Sequence, residues 1–271
     1  NDGVTDLAVG SANTECCSSG LQPPERVFLM HMNSDGTVKS HVEITSASVG
    51  AVNVNGQDVG FGSAVANVGD LNDDGNDDLV VGAPGDDDAN ASIGFDAGAV
   101  YILFLNADGT VQSQQKVSAL EGSMGGALTG GDLFGSSVSS AGDYDKDGIE
   151  DILVGAPGDG AVYILLLAKT GVVKTAVKID ESTGGYSGEG SIGSSVARIG
   201  DLDGDGAPDI LAGDQWIDEG GTDNGGLWVL HMNAPLLDVP GAGTDMTGRL
   251  EKRSRADGSL VWAASLPEVG R

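Results

Sequence analysis

"FGSSVSSAGDYDKDGIEDILVGAP", Phe134 to Pro157, packs five acidic side chains into the nine residues from Asp143 to Asp151 and then turns abruptly apolar. Asp143, Asp145, Asp147 and Asp151 stand at positions 1, 3, 5 and 9 of that loop, with Gly148 at position 6. Alternate spacing brings the first three carboxylates to one side of a curled backbone, and glycine tolerates the sharp turn that follows. The carbonyl of Ile149, at position 7, adds a backbone oxygen. Such a donor set suits a hard six- or seven-coordinate cation, Ca²⁺ before Mg²⁺, and it offers no nitrogen or sulfur for Zn²⁺. An EF-hand opens with the same DxDxDG, but it needs a bidentate Glu at position 12 and an exiting helix. Position 12 here is Val154, inside an apolar run that reads as a strand.

The stretch recurs. "FGSAVANVGDLNDDGNDDLVVGAP" starts at Phe61 and "IGSSVARIGDLDGDGAPDILAGDQ" at Ile192, 73 residues before and 58 residues after the copy at Phe134. One Asp-Gly-rich turn is an ordinary polar loop. Three at the same place in a repeat argue for ion binding, so about three Ca²⁺ sites are expected. The first copy offers Asp70, Asn72, Asp74 and Asp78 with the Asn76 carbonyl; the third offers Asp201, Asp203, Asp205 and Asp209 with the Ala207 carbonyl. Asn72 keeps an oxygen but removes a charge, so that site is expected to bind more weakly. Crowded carboxylates repel one another without the ion, which couples metal to fold.

A second element follows each acidic motif: "GAVYILFLNADGTVQSQQKVS" from Gly98, "GAVYILLLAKTGVVKTAVKI" from Gly160 and "GGLWVLHMN" from Gly225. Each unit therefore reads as four short strands, the second and third apolar throughout, the third and fourth joined by a hairpin turn such as "NADGT". A period near 60 to 70 residues fits a β-propeller blade better than a solenoid repeat. The fold expected is all-β, a β-propeller of four-stranded antiparallel blades. The units run 1–60 (a partial blade and connection), 61–133, 134–191 and 192–240, with 241–271 as a degenerate start of the next blade. The N-terminal "NDGVTDLAVG" keeps only the end of an acidic loop, Asp2, Gly3 and Asp6, and is expected to bind little or no ion.

Composition agrees. There are 45 glycines against 4% aromatic residues, and 41 acidic against 13 basic residues leave a formal charge of -28. That charge argues against nucleic acid and anionic membranes as partners. No apolar run approaches the roughly 18 residues of a membrane span. Catalytic patterns are missing as well: no GxSxG, HExxH or CxxC occurs. His31 and His231 sit at equivalent places in "LMHMN" and "VLHMN" and read as strand positions. The GxGxxG at Gly188, Gly190 and Gly193 lacks a βαβ context. Cys16 and Cys17 read as two free thiols, the basic run from Arg249 to Arg255 as a solvated loop, and Asn90-Ala91-Ser92 as a lone glycosylation sequon.

The Phe-Gly opening, the DxDxDGxxD loop and the Gly-Ala-Pro closing strand together resemble FG-GAP repeats, as in integrin α-chain propellers. The resemblance is strong over about 60 to 215. It implies a seven-bladed ring with calcium held in hairpin loops on one face, in an extracellular or cell-surface protein, and it assigns ion ligation to the loop residues named above. About four blades' worth of sequence is present, so a part of such a ring is expected. The third copy departs, with Gly213, Asp214 and Gln215 in place of Gly-Ala-Pro, and no DxSxS adhesion motif occurs. The function expected is a calcium-stabilised adhesion or protein-interaction module, not an enzyme, whose protein or glycan ligand meets the divergent loops Gly85 to Ala97 and Asp214 to Gly225. The alternative is the non-catalytic accessory propeller of a secreted hydrolase.

Overall fold

The structure is a computed structural model that describes residues 3–12, 25–51, 58–88, 94–124, 127–181, 191–216 and 225–232, and the backbone of 248–253 and 260–265. Cys16, Cys17, the Asn90 sequon, Asp2, Gly188, Gly190, the middle of both divergent loops and the side chains of the basic run lie outside the described residues.

Four antiparallel sheets follow one another along the chain. The first is β1 (Leu7–Ser11), β2 (Arg26–Met32) and β3 (Val38–Thr45), followed by a 3-10 turn at Ser46–Val49. The second is β4 (Val65–Asn67), β5 (Leu79–Ala83), β6 (Ala99–Leu105) and β7 (Val111–Ser118). The third is β8 (Ser137–Gly142), β9 (Asp151–Ala156), β10 (Ala161–Leu167) and β11 (Val173–Ile179). The fourth is β12 (Ile192–Arg198), β13 (Ile210–Asp214), β14 (Gly226–Met232), β15 (Gly248–Arg253) and β16 (Leu260–Ser265). In every sheet, sequence neighbours pair, the simple meander of a propeller blade. Each sheet packs on the next, β4 on β8 and β8 on β12, so the blades form an arc that, among the described residues, does not close into a ring. Residues 241–271, read from the sequence as the start of a following blade, supply β15 as the fourth strand of the last sheet and β16 as a fifth strand beside it.

Stacking explains the unbroken apolar runs. Along β10, Tyr163, Leu165 and Leu167 join a core with Val100, Ile102 and Phe104 of the preceding blade, while Val162, Ile164 and Leu166 join Trp228, Leu230 and Met232 of the following one. A strand's side chains alternate between faces, and both faces are covered here, so every position must be apolar. All seven residues of β6 and of β10 are buried. At about 1.5–3 kcal/mol for each large side chain, these central strands are the main source of stability. The outer β7 carries exposed polar residues at Gln112, Ser113 and Gln114 instead.

The Phe-Gly and Gly-Ala-Pro ends of the motif meet for two reasons. Within a blade, Phe61 stacks edge-on against Tyr101 at 5.7 Å and Phe134 against Tyr163 at 5.4 Å. Gly135 N–H donates to the Gly155 carbonyl at 3.0 Å in the same blade. Between blades the backbones come so close that side chains are barred. A Cβ on Gly82 would lie 1.9 Å from the Gly135 carbonyl oxygen, and one on Gly155 1.9 Å from that of Gly193. The third repeat keeps both glycines, Gly193 and Gly213, while Ile192 replaces the phenylalanine and Trp228 the tyrosine.

Candidate metal-binding loops

The three acidic loops join β4 to β5, β8 to β9 and β12 to β13, at the same end of successive blades. Their first carboxylates cap the turn. Asp143 accepts the N–H of Asp147 and of Gly148, both at 2.9 Å, and Asp70 accepts Asp74 N–H and Gly75 N–H, both at 2.8 Å. Asp201 does the same for Asp205 and Gly206 and also takes Gly204 N–H at 2.7 Å; these backbone donors, Gly206 foremost, hold its carboxyl below the usual range. Gly75, Gly148 and Gly206 all have φ near +90°, the left-handed turn at position 6 that glycine alone adopts freely.

Position 9 does different work. Asp78, Asp151 and Asp209 are fully buried. Each spans from its own loop to the end of the third strand. Asp151 accepts Tyr144 N–H and Leu167 N–H, both at 2.8 Å; Asp78 accepts Leu71 N–H at 3.1 Å and Leu105 N–H at 3.0 Å; Asp209 accepts Leu202 N–H at 2.8 Å and Met232 N–H at 3.0 Å. Burial raises the pKa of Asp78, and it pushes Asp151 up to about 6 despite the two N–H donors. The N-terminal Asp6 repeats the pattern by accepting Met32 N–H at 2.9 Å.

Carboxylate oxygens converge in the second and third loops. Asp143, Asp145 and Asp151 bring ligand atoms within 4.8 Å of one another, as do Asp201, Asp203 and Asp205, and as do Asp203, Asp209 and His231. Asp145 Oδ1 is buried without a hydrogen-bond partner, an acceptor aimed where a cation would relieve it. The two all-carboxylate sets fit a hard divalent ion, which would supply charge neutralisation and cross-linking of the loop, while the set with His231 adds an imidazole nitrogen. In the first loop, Asn72 Nδ2 donates to Asp74 at 3.0 Å and Asn76 Nδ2 to the same carboxylate at 2.8 Å. Asn72 foremost holds the Asp74 carboxyl below the usual range. Asn76 thus turns its side chain into the loop.

Two kinds of residue at these loops escaped the sequence reading. His31 and His231 stand in strands β2 and β14, as expected, and also reach the loops: His231 Nδ1 lies 3.1 Å from Asp209 Oδ2 and 3.9 Å from Asp203 Oδ2, and His31 Nδ1 lies 3.0 Å from Asp6 Oδ2. Their matched places in "VLHMN" and "LMHMN", one residue before the position that donates to the ninth aspartate, were the available signal. Lys174, on β11, reaches Asp145 Oδ2 at 2.9 Å and contacts Asp147. Burial alone would lower the Lys174 ammonium and raise the Asp147 carboxyl, but the pairing wins, raising the first and lowering the second.

The opposite ends of the blades carry a second recurring set. Lys116, nine-tenths buried, lies 2.6 Å from Asp86 and 2.8 Å from Asp88, and Tyr101 Oη donates to Asp86 at 2.6 Å. In the next blade Lys178 and Tyr163 hold Asp159 at 2.9 and 2.7 Å. These sets clamp the connection after the Gly-Ala-Pro strand onto the fourth strand, and so fix the stem of the divergent loop that begins at Gly85.

Comparison with known proteins agrees with the geometry. A family model described as FG-GAP repeat matches residues 61–103, and one described as FG-GAP-like repeat matches 143–212. Integrin alpha-3 of Cricetulus griseus is 36% identical over 190 residues, 69% of this chain and 16% of the relative. Integrin alpha-6 of Gallus gallus is 40% identical over 155 residues, 56% of this chain and 13% of the relative. Integrin alpha pat-2 of Caenorhabditis briggsae is 32% identical over 220 residues, 73% of this chain and 16% of the relative. The chain spans about one sixth of the length of the curated relatives it matches.

Proposed function

We propose, for a chain that carries FG-GAP repeats of the integrin α type, a calcium-stabilised β-propeller segment that works in adhesion or protein interaction outside the cell or at its surface. The observation that carries the ion reading is one arrangement in three successive blades: an acidic loop whose first carboxylate caps the turn and whose ninth ties the loop to the third strand. An ion drawing in positions 1, 3, 5 and 9 and the carbonyl of position 7 would fasten the first two strands of the blade to the third. Calcium is then structural, and weak extracellular-type affinity, roughly 10⁻⁴ to 10⁻³ M, suffices.

Ligand recognition falls to the other end of the blades, where the loops diverge. Phe95 is half exposed there, on a loop whose stem the Asp86–Lys116 pair holds in place. A loop held at its stem and presenting an exposed aromatic side chain suits a binding role. A protein or glycan is the expected ligand, and no catalytic step is assigned, in keeping with the integrin α chains the segment resembles. Among the described residues no helix is long and apolar enough to cross a membrane.

Calorimetric titration tests the ion reading: calcium should bind at about three sites, and Asp147→Ala should remove one while leaving the others. A chain that binds no calcium at millimolar concentration overturns it. Binding to an immobilised panel of extracellular matrix proteins and glycans, abolished by chelator, tests the adhesion reading.

A further inference from the structure

The last strands of the first three sheets, β3, β7 and β11, share an irregularity. Pairing slips between His31 and Met32, between Phe104 and Leu105, and between Leu166 and Leu167. The slip leaves Lys39, Gln112 and Lys174 unopposed, each the second residue of its strand. An extra residue of this kind bends the strand and re-aims its side chain. In the third blade the consequence is direct, because the bulge residue Lys174 meets Asp145 and Asp147, positions 3 and 5 of the acidic loop. The second blade has an uncharged residue, Gln112, at the same place, and there the first acidic loop is held by its own asparagines.

We propose that Lys174 is a tethered cation that competes with the divalent ion for the 143–151 loop, so that the bulge residue of the fourth strand grades ion affinity from blade to blade. This rests on the reading of the acidic loops as ion sites and adds what tunes them. The ammonium carries one charge and neutralises part of the repulsion among four carboxylates, so the loop keeps its shape without an ion. A divalent ion that takes Asp145 and Asp147 must displace the ammonium or sit beside it, and either lowers the ion's net gain. One contact therefore has two effects of opposite sign: it stabilises the ion-free chain and weakens calcium binding.

Lys174→Gln installs the residue that the second blade already carries at this position, so the bulge tolerates it. Calcium titrations of the wild type, Lys174→Gln, Gln112→Lys and Asp145→Asn, at one salt concentration, read the affinities; melting in chelator and in saturating calcium reads the stabilities. Lys174→Gln should tighten one calcium-binding event by about two- to thirtyfold, the range for releasing two partly exposed ion pairs. It should also lower the melting temperature in chelator while widening the gain on adding calcium. Gln112→Lys should weaken a different event by a similar factor, and it decides the matter alone if Lys174→Gln misfolds. Unchanged affinities in both lysine-exchange variants, with Asp145→Asn still losing one event, overturn the tether and leave the ion sites standing. If the wild type binds no calcium, the ion reading and the tether fall together.

Discussion

Gly155→Ala probes why the Gly-Ala-Pro motif needs its glycine. Gly155 lies on β9 with an ordinary strand backbone, so alanine meets no conformational penalty there; the obstacle is the next blade. The added Cβ would lie 1.9 Å from the Gly193 carbonyl oxygen, 2.8 Å from its carbon and 2.3 Å from Ser137 Oγ. The first contact is short of ordinary van der Waals distance by about 1.5 Å, and because it is backbone, no rotamer change relieves it. The Ser137 hydroxyl is also committed, donating to the same Gly193 carbonyl at 2.8 Å. Blade four must therefore shift away from blade three along β12, opening the core that holds Ile164, Leu166, Trp228 and Leu230. Overpacking of this kind costs about 3 kcal/mol, the upper part of its usual range. At about 2–4 °C per kcal/mol for a chain of this size, the melting temperature should fall by about 6–12 °C. Gly200→Ala is the control, since nothing lies within 4 Å of its Cβ position and its φ is not in the left-handed region. Thermal melts followed by circular dichroism in saturating calcium compare the two. Equal melting temperatures would refute the close approach of the blades.

Two further expectations follow from buried charge. Lys116→Met leaves Asp86 and Asp88 buried without their cation and should cost about 3–5 kcal/mol in urea unfolding; Lys178→Met, whose lysine is one-third exposed, should cost under about 1 kcal/mol. Equal losses would contradict the burial argument. In chelator, Asp151 carries its charge in the core, where burial pushes its pKa up to about 6, above the ordinary carboxylate range. The folded chain thus takes up this proton before the unfolded chain does, so the group destabilises above pH 6, by about 3 kcal/mol. That penalty is relieved as pH falls from about 6 towards 4. The stability of the wild type relative to Asp151→Asn should rise across that window, and a flat difference counts against a charged, ion-free Asp151.

Much of the architecture was legible because repetition lets a sequence be read against itself. Three copies placed the acidic loops between the first two strands, and continuous apolar runs in "AVYILFL" and "AVYILLL" announced strands covered on both faces. The loop positions were equally plain: 1, 3, 5 and 9 are set by local backbone curl and a glycine at 6, both local properties. Less legible was the double duty of Asp78, Asp151 and Asp209, whose second partners lie 23 to 27 residues away in two blades and 16 in the third.

What the chain determines by itself is the blade: strand order, hairpin turns, the acidic loop and the glycine at its sixth position, because each follows from side-chain period and local conformation. Tertiary structure decided what meets across that frame. Lys174 faces Asp145 only because a one-residue slip in pairing turns it out of the strand's alternation, and a slip depends on the partner strand, not on β11 alone. Gly82 and Gly155 are required only because a neighbouring backbone lies against them. The same physics governs residues 241–271, whose likeness to the start of a blade is local, while their addition to the last sheet depends on which strand edge is open.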